Sequence, residues 1–381
     1  MEKTIKLTGR IDSANAAETE AELVKQIGED ACDLVLDAAE LNYISSAGLR
    51  VLLRLKKAHN GFKIINCKPE VYDIFDMTGF VEMMEISKAY RELSIDGCEV
   101  IGEGANGIVY RTDPDTIVKV YKNHDALEEI HNERELARKA FVMGIPTAIP
   151  YDVVKVGDYY GSVFELLNAK SFAKLIISGE LTADEAAKES VEILKTMHAT
   201  MLKEGELPDK KKESMKWAAD AAKNLPEETG SKLIDLFNSV PVTLNMLHGD
   251  FHIKNIMRQN NENLLIDMDT LAMGHPIYEI AGVFAAYIGY SCVDKNNVAE
   301  FFGITREQAD TIWHSTLKYY FEGKDEAFLE EIERKAAIIS YARIYRKLCQ
   351  KSVLEGEKKL QYDYIRNYLA ENVPKVDSLA F

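Results

Sequence analysis

The chain has 381 residues, of which 46% are hydrophobic and 28% charged, with a formal net charge of −16. This length favours two or three domains, and the apolar content supports packed cores, which excludes a disordered or low-complexity chain. The acidity argues against a nucleic-acid or anionic-membrane partner; beyond that, bulk acidity mostly serves solubility.

Five cysteines, Cys32, Cys67, Cys98, Cys292 and Cys349, are scattered without a CxxC pair or Cys/His cluster, so neither a disulfide framework nor a zinc site is expected. Residues Met1 to Gly9 lack the apolar segment of a signal peptide, and no run approaches 18 apolar residues. The expected location is cytoplasmic.

Residues 1–90 alternate strands and helices. Thr4–Ile11 alternates like a strand and Asp33–Leu36 is a short apolar run. Ala47–Ala58 has leucines at helical spacing and stops at Gly61. Phe62–Asn66 is a strand, Pro69 to Phe75 a helix closed by Gly79, and Met83–Ile86 a last strand. This is the pattern of a small α/β domain. Ser45 and Ser46 stand where a strand meets a helix. A serine there is a preferred N-cap, and it is also a hydroxyl at which a phosphate would meet free N–H groups.

Near Ser87–Leu93 the texture changes to strand, turn, strand. Glu99–Ile101 leads into Gly102-Glu-Gly104-Ala-Asn-Gly107, then the strands Ile108–Arg111 and Thr116–Tyr121 about an Asp-Pro-Asp turn. A polar helix follows from Asp125 to Met143, then strand-like runs at Asp152–Val156 and Gly161–Leu167. From Ser171 the pattern is mostly helical, interrupted by apolar runs at Val242–Leu247 and Leu264–Met268. The expected fold is an α/β domain at 1–90, followed by an α+β bilobal part with a β-rich lobe at 91–168 and a helical lobe at 169–381.

Three glycines at 102, 104 and 107 let backbone N–H groups approach a polyphosphate. A dinucleotide fold needs such glycines to open a helix, whereas here they open a hairpin. Lys119 is the lone cation in the apolar strand Ile117–Tyr121, positioned to pair with phosphates. A glutamate on the next helix would hold it: Glu133, or alternatively Glu135, since the two occupy different helix faces.

His248-Gly-Asp250-x-x-x-x-Asn255 followed by Leu265-Ile-Asp267 is the most specific stretch. A carboxylate suits the proton of an attacking hydroxyl (Asp250), and hard oxygen donors suit Mg²⁺ (Asn255 and Asp267). The rival readings are a transition-metal cluster of His248, Asp250 and His252, and Asp267 and Asp269 as metal-free turn carboxylates. His248 is expected to buttress the loop through hydrogen bonds.

With these residues in place, 95–350 resembles the aminoglycoside phosphotransferase and choline kinase-like superfamily, the small-molecule branch of the protein-kinase-like fold. The resemblance runs through the HGD spelling, Ile266-Asp267, Gly274-His-Pro276 and Glu279-Ile-Ala281, where the family often has Asp-Leu-Ala. It implies ATP and Mg²⁺ as cofactors, a hydroxyl acceptor on a small molecule, and an adenine-binding hinge at Phe164-Glu165-Leu-Leu167. Residues 1–90 resemble STAS domains, the anti-sigma factor antagonist family. That match runs through Leu7-Thr-Gly-Arg-Ile-Asp12, Leu34–Asp37, Tyr43-Ile-Ser-Ser-Ala-Gly-Leu49 and Phe75–Gly79. It implies a phosphoacceptor at Ser46, although Ser45 stands where many members have Asp, and a protein partner for this domain.

Two alternatives accompany the metabolic reading: a signalling kinase acting on a protein serine, with Ser46 in cis or trans, and a non-catalytic nucleotide sensor. The basic run Lys210–Lys212 is expected to be a solvated helix face.

Overall fold

A computed structural model describes residues 2–28, 33–59, 61–104, 106–167, 169–351 and 353–381. Cys32, Ala105 of the glycine-rich loop and Asn168 at the expected lobe boundary lie outside the described residues. The chain divides into two units, Met1–Asp96 with Val153–Gly161, and Gly97–Asp152 with Ser162–Phe381.

The first unit runs β1 (Glu2–Ile11), α1 (Ala16–Ile27), β2 (Asp33–Ile44), α2 (Ser46–Ala58), β3 (Lys63–Cys67), α3 (Pro69–Met77), α4 (Phe80–Met83), β4 (Glu85–Lys88) and β5 (Arg91–Glu92). β1 to β4 form a parallel sheet in sequence order. Leu34, Val35 and Leu36 are all buried, as a parallel strand covered on both faces requires. α1 has no counterpart among the expected elements; its buried residues, Ala16, Leu23 and Ile27, are too few to show a period in the sequence. Gly48 lets α2 approach the sheet, because a Cβ there would lie 2.7 Å from Ile44 Cγ1 and 2.8 Å from Ile11 Cγ2.

The second unit opens with β6 (Glu99–Glu103), β7 (Gly107–Asp113) and β8 (Thr116–Tyr121), an antiparallel meander, followed by α5 (Leu127–Val142). Two strands divide between the units, β9 (Asp152–Val156) and β10 (Tyr159–Glu165). In the second unit the segment after Ser162 runs beside β8, with Leu166 N–H donating to Asp115 O at 2.8 Å.

The helical lobe then follows as β11 (Lys170–Ser171), α6 (Phe172–Ile177), α7 (Ala183–Ala199), α8 (Lys210–Ala222), α9 (Glu227–Ser239), β12 (Met246–Leu247), β13 (Ile256–Gln259), β14 (Glu262–Leu265), β15 (Ala272–Met273), α10 (Ile277–Tyr287), α11 (Asn297–Phe302), α12 (Arg306–Tyr320), α13 (Glu326–Cys349) and α14 (Gly356–Asn372). α7 packs on α12, α10 on α13, and α8 on both α9 and α13. Phe172, Phe237, Trp313, Tyr341 and Tyr345 fill the core between them. The chain thus adopts the expected class: a small α/β sheet domain, then a β-rich and a helical lobe. Among the described residues, no helix is long and apolar enough to cross a membrane.

Candidate active site

β8 and α5 bring together Lys119 and Glu133, the residues expected from the sequence to clamp phosphate. Lys119 Nζ lies 3.0 and 3.1 Å from the two Glu133 oxygens and 3.3 Å from Asp267 Oδ1. α5 turns Glu133 inward with Ile130, Leu136, Ala137 and Ala140, whereas Glu135 is exposed and pairs with Lys139 at 3.7 Å. The choice left open by the sequence therefore falls on Glu133. Burial acts to lower the Lys119 ammonium, but Glu133 and Asp267 outweigh it and hold the group charged well above its ordinary range. Sequence reasoning did not single out Tyr121, whose buried hydroxyl donates to Glu133 Oε2 and lies 3.3 Å from Ser162 Oγ. It sits two residues from Lys119 on the same strand face, a signal that strand periodicity carries.

The three glycines differ in what constrains them. A Cβ at Gly107 would lie 2.6 Å from Val120 O, so this glycine serves the pairing of β7 with β8. At Gly102 and Gly104 a Cβ would meet no protein atom closer than 3.9 Å. A Cβ there would make only ordinary van der Waals contact, so the protein's own packing does not require these two glycines, which fits a ligand that lies against their backbone. Lys122 Nζ holds the loop through Glu103 Oε1 and Gly104 O, both at 3.0 Å. Asn106 Nδ2 reaches Asp269 Oδ2 at 3.4 Å. Glu165 ends β10, and Leu167 follows it half-buried.

The loop that carries His248, Asp250 and Asn255 lies between β12 and β13. β12 pairs with β15, and Gly249 takes φ +86° where a Cβ would lie 2.3 Å from Thr270 O. Any side chain at the middle of the HGD motif would clash with that carbonyl. Glu279 of α10, fully buried, accepts the backbone N–H of His248 and, at 3.1 Å, that of Gly249. Glutamate at 279 is therefore an anchor of the loop. Burial pushes its carboxyl up, against the pull of the two N–H groups. Tyr287 OH accepts Ile253 N–H at 3.0 Å, and Thr270 Oγ1 donates to His248 O at 2.9 Å. His248 Nε2 lies 3.2 Å from Ile266 O, and its Nδ1 accepts Asp250 N–H at 3.4 Å. Both ring nitrogens are thus engaged with backbone, which leaves neither for a metal. Among the described residues, no group of three His, Cys, Asp or Glu is placed to hold one.

Asp250 Oδ2 lies 3.5 Å from His252 Nε2. Burial acts to raise the Asp250 carboxyl, but His252, His248 and Arg343 together hold it below its ordinary value. Asn255 Nδ2 donates to Asp250 O at 2.9 Å, which leaves the amide oxygen of Asn255 as its remaining acceptor. Asp267, at φ +65°, follows β14 in a left-handed conformation, its side chain 41% exposed and 3.3 Å from Lys119 Nζ. Asp269 follows; burial first, then the Asp267 charge, pushes its carboxyl up to about 7. One amide oxygen and one or two carboxylates is a donor set that suits Mg²⁺ completed by phosphate oxygens and water.

Lys210 and Lys211 depart from the expected solvated face. Lys210 is buried with Nζ 2.8 Å from Glu213 Oε2, and Lys211 Nζ donates to the carbonyls of Asn238 and Val240 at 2.7 and 2.6 Å. Only Lys212 of the three is exposed.

In the first unit Ser45 is the N-cap of α2, its Oγ accepting Ala47 N–H at 3.2 Å. Ser46 is the exposed first helical residue, and Arg50 Nε donates to its carbonyl at 3.2 Å. The N-cap role thus falls on Ser45, and Ser46 is left exposed.

The profile of the phosphotransferase enzyme family matches residues 97–310, and that of the STAS domain matches residues 3–93. A Bordetella bronchiseptica protein, BtrV, named as a candidate anti-sigma factor antagonist, is 37% identical over 87 residues, 22% of this chain and 75% of that protein. Among solved structures, the ADP-bound aminoglycoside phosphotransferase APH(2″)-Ib is 17% identical with a TM-score of 0.48, covering 73% of this chain and 95% of that one. The gentamicin complex of APH(2″)-IIa is 16% identical with a TM-score of 0.45, covering 75% and 94%.

Proposed function

Because the chain belongs to the phosphotransferase enzyme family and carries a STAS domain at residues 3–93, we propose that it transfers the γ-phosphoryl group of ATP to a hydroxyl, with Mg²⁺ as the metal. The single observation that carries this reading is the meeting of Lys119, Glu133 and Asp267 within 3.3 Å, in the same unit as the loop holding Asp250 and Asn255. Lys119, fixed by Glu133, pairs with the α- and β-phosphates, and the backbone of Gly102–Gly107 covers them. Asn255 and Asp267 hold the metal, which supplies neutralisation of charge on the phosphate oxygens. Asp250 orients the acceptor hydroxyl and takes its proton as the acceptor oxygen bonds to γ-phosphorus and the bond to ADP breaks. The low-lying Asp250 carboxyl is ionised at neutral pH, as a proton acceptor must be. Glu165 to Leu167 supply the backbone against which adenine rests. The acceptor is a small hydroxylated molecule, and the STAS domain docks a protein partner.

One observation favours a second reading, in which the acceptor is Ser46: its hydroxyl is exposed at a helix N-terminus while Ser45 serves as the cap. Intact-mass spectrometry after incubation with Mg·ATP tests both readings, using wild type, Asp250→Ala and Ser46→Ala. One added phosphate in wild type, lost in both variants, selects Ser46. No added phosphate, with ADP released only when an alcohol is supplied and not by Asp250→Ala, selects the small-molecule reaction. If both results are absent, phosphoryl transfer by this chain is overturned.

A further inference from the structure

The helical lobe carries a concentration of positive charge that the assigned chemistry does not use. On α13, Arg343, Arg346 and Lys347 stand at i, i+3 and i+4, so they share one face. That face packs on α8, where Trp217 is buried at the contact. The Arg343 and Arg346 guanidinium carbons lie 5.2 and 5.8 Å from the Trp217 ring centre, and Lys210 Nζ lies 5.2 Å from it. Three cations therefore converge on one indole.

What partners these cations lack is informative in a chain of net charge −16. Lys210 has Glu213, but among the described residues no acidic side chain forms an ion pair with Arg343, Arg346 or Lys347. The Nε of Arg346 is buried with no hydrogen-bond partner, and so is the Nε1–H of Trp217. A buried N–H left unmatched is costly, more so when it is charged. Indole stacking offsets part of that for the guanidinium planes but satisfies none of their N–H groups. Burial and the charges of Arg343 and Arg346 push the Lys347 ammonium below its ordinary range. The cluster also lies close enough to the catalytic loop for Arg343 to bear on the Asp250 carboxylate, and for Asp250 to bear on Lys347.

We propose that this cluster is the recognition site for an anionic group on the acceptor, so that the substrate is an alcohol carrying a carboxylate or a phosphate. The assignment rests on the reading of Asp250 as the base that takes the acceptor proton. The hydroxyl goes to Asp250, and the anionic group goes to the guanidinium groups beside Trp217, whose planar donor sets match a carboxylate or phosphate in two-point contact. Asp220, Glu213 and Asp250 bear on these cations without forming an ion pair with Arg343, Arg346 or Lys347 among the described residues, and the ligand supplies that close counter-charge. A cationic acceptor is disfavoured by the same three side chains.

The test has two parts, both on the full chain with Mg·AMP-PNP saturating or Mg·ATP present. First, tryptophan fluorescence is titrated with inorganic phosphate and with acetate at constant ionic strength. A saturable change in wild type is expected, its midpoint raised at least tenfold in Arg343→Gln and several-fold in the exposed variant Lys347→Gln, both checked for folding by circular dichroism. The more tightly bound of the two ions identifies phosphate or carboxylate as the preferred group. No saturable change, or midpoints equal in all three proteins, overturns the proposal, as does binding of an acidic peptide without any response to the two ions. Second, ADP release is measured with glycerol, glycerate, glycerol 3-phosphate and choline. The anionic alcohols are expected to exceed glycerol and choline at least tenfold in kcat/KM, and Arg343→Gln to remove that difference. Equal or better use of glycerol or choline overturns the proposal. Anion binding at this cluster, with no alcohol-dependent ADP release that Asp250→Ala abolishes, would instead refute the role of Asp250 while leaving an anion site beside it.

Discussion

Glu279 gives the sharpest test of how the catalytic loop is held. Its carboxylate is the acceptor for two buried backbone donors, His248 N–H and Gly249 N–H. Glu279→Ala leaves both donors without a partner, at about 1–3 kcal/mol each, so about 2–6 kcal/mol in all. A water entering the vacated space would bring the loss toward the lower figure. The cost falls on the loop before it falls on the lobe, because the loop opens more readily than the helices around it. Hydrogen exchange followed by mass spectrometry over residues 246–255 reads this directly. A loss of about 3 kcal/mol corresponds to exchange faster by roughly 150-fold at those amides. Glu279→Asp keeps the charge and is expected to restore part of the protection, and ADP release in the presence of an acceptor should fall and recover in parallel. If residues 246–255 exchange at the wild-type rate in Glu279→Ala, the carboxylate does not hold the loop and the reasoning is refuted.

Two further outcomes follow from the same geometry. Tyr121→Phe removes a buried hydrogen bond to the Glu133 carboxylate and is expected to cost about 1.5–3 kcal/mol in chemical denaturation; a change under about 0.5 kcal/mol would show that Lys119 alone fixes Glu133. His198 is buried, with Nδ1 2.7 Å from Tyr320 OH, and burial, with His275 adding, lowers its pKa to about 3. The folded state thus resists a proton that the unfolded state accepts near pH 6.5, so stability is full above that pH and is lost as pH falls toward 3. The slope from this group approaches about 1.4 kcal/mol per pH unit. His198→Gln should flatten the stability profile between pH 6 and 4, and an unchanged profile would place the acid sensitivity elsewhere.

The sequence by itself determined the order of elements and most of the candidate chemistry. Strand and helix periods, glycine stops and the short HGD and Ile-Asp stretches are local properties, and local properties are written in consecutive residues. It also narrowed the partner of Lys119 to two positions on one helix. Which of them points inward depends on the face of α5 that is buried, and that face turns Glu133 to Lys119 and leaves Glu135 to Lys139. Likewise the spelling at 248–250 does not say why its middle residue lacks a side chain. The reason is a carbonyl 21 positions downstream, Thr270 O, that stands where a Cβ would go. Glu279 anchors a loop about thirty residues away in the chain, which no period can reveal. The basic run at 210–212 reads as solvated because composition carries no burial, yet packing buries Lys210 beside Glu213 and ties Lys211 to carbonyls at the end of α9. Arg343 and Arg346 look like ordinary charges on a long helix, and only the contact of α13 with α8 sets them against Trp217, with no ion pair to an acidic side chain among the described residues. Tertiary structure alone decided which charges are paired, because pairing depends on distance through space.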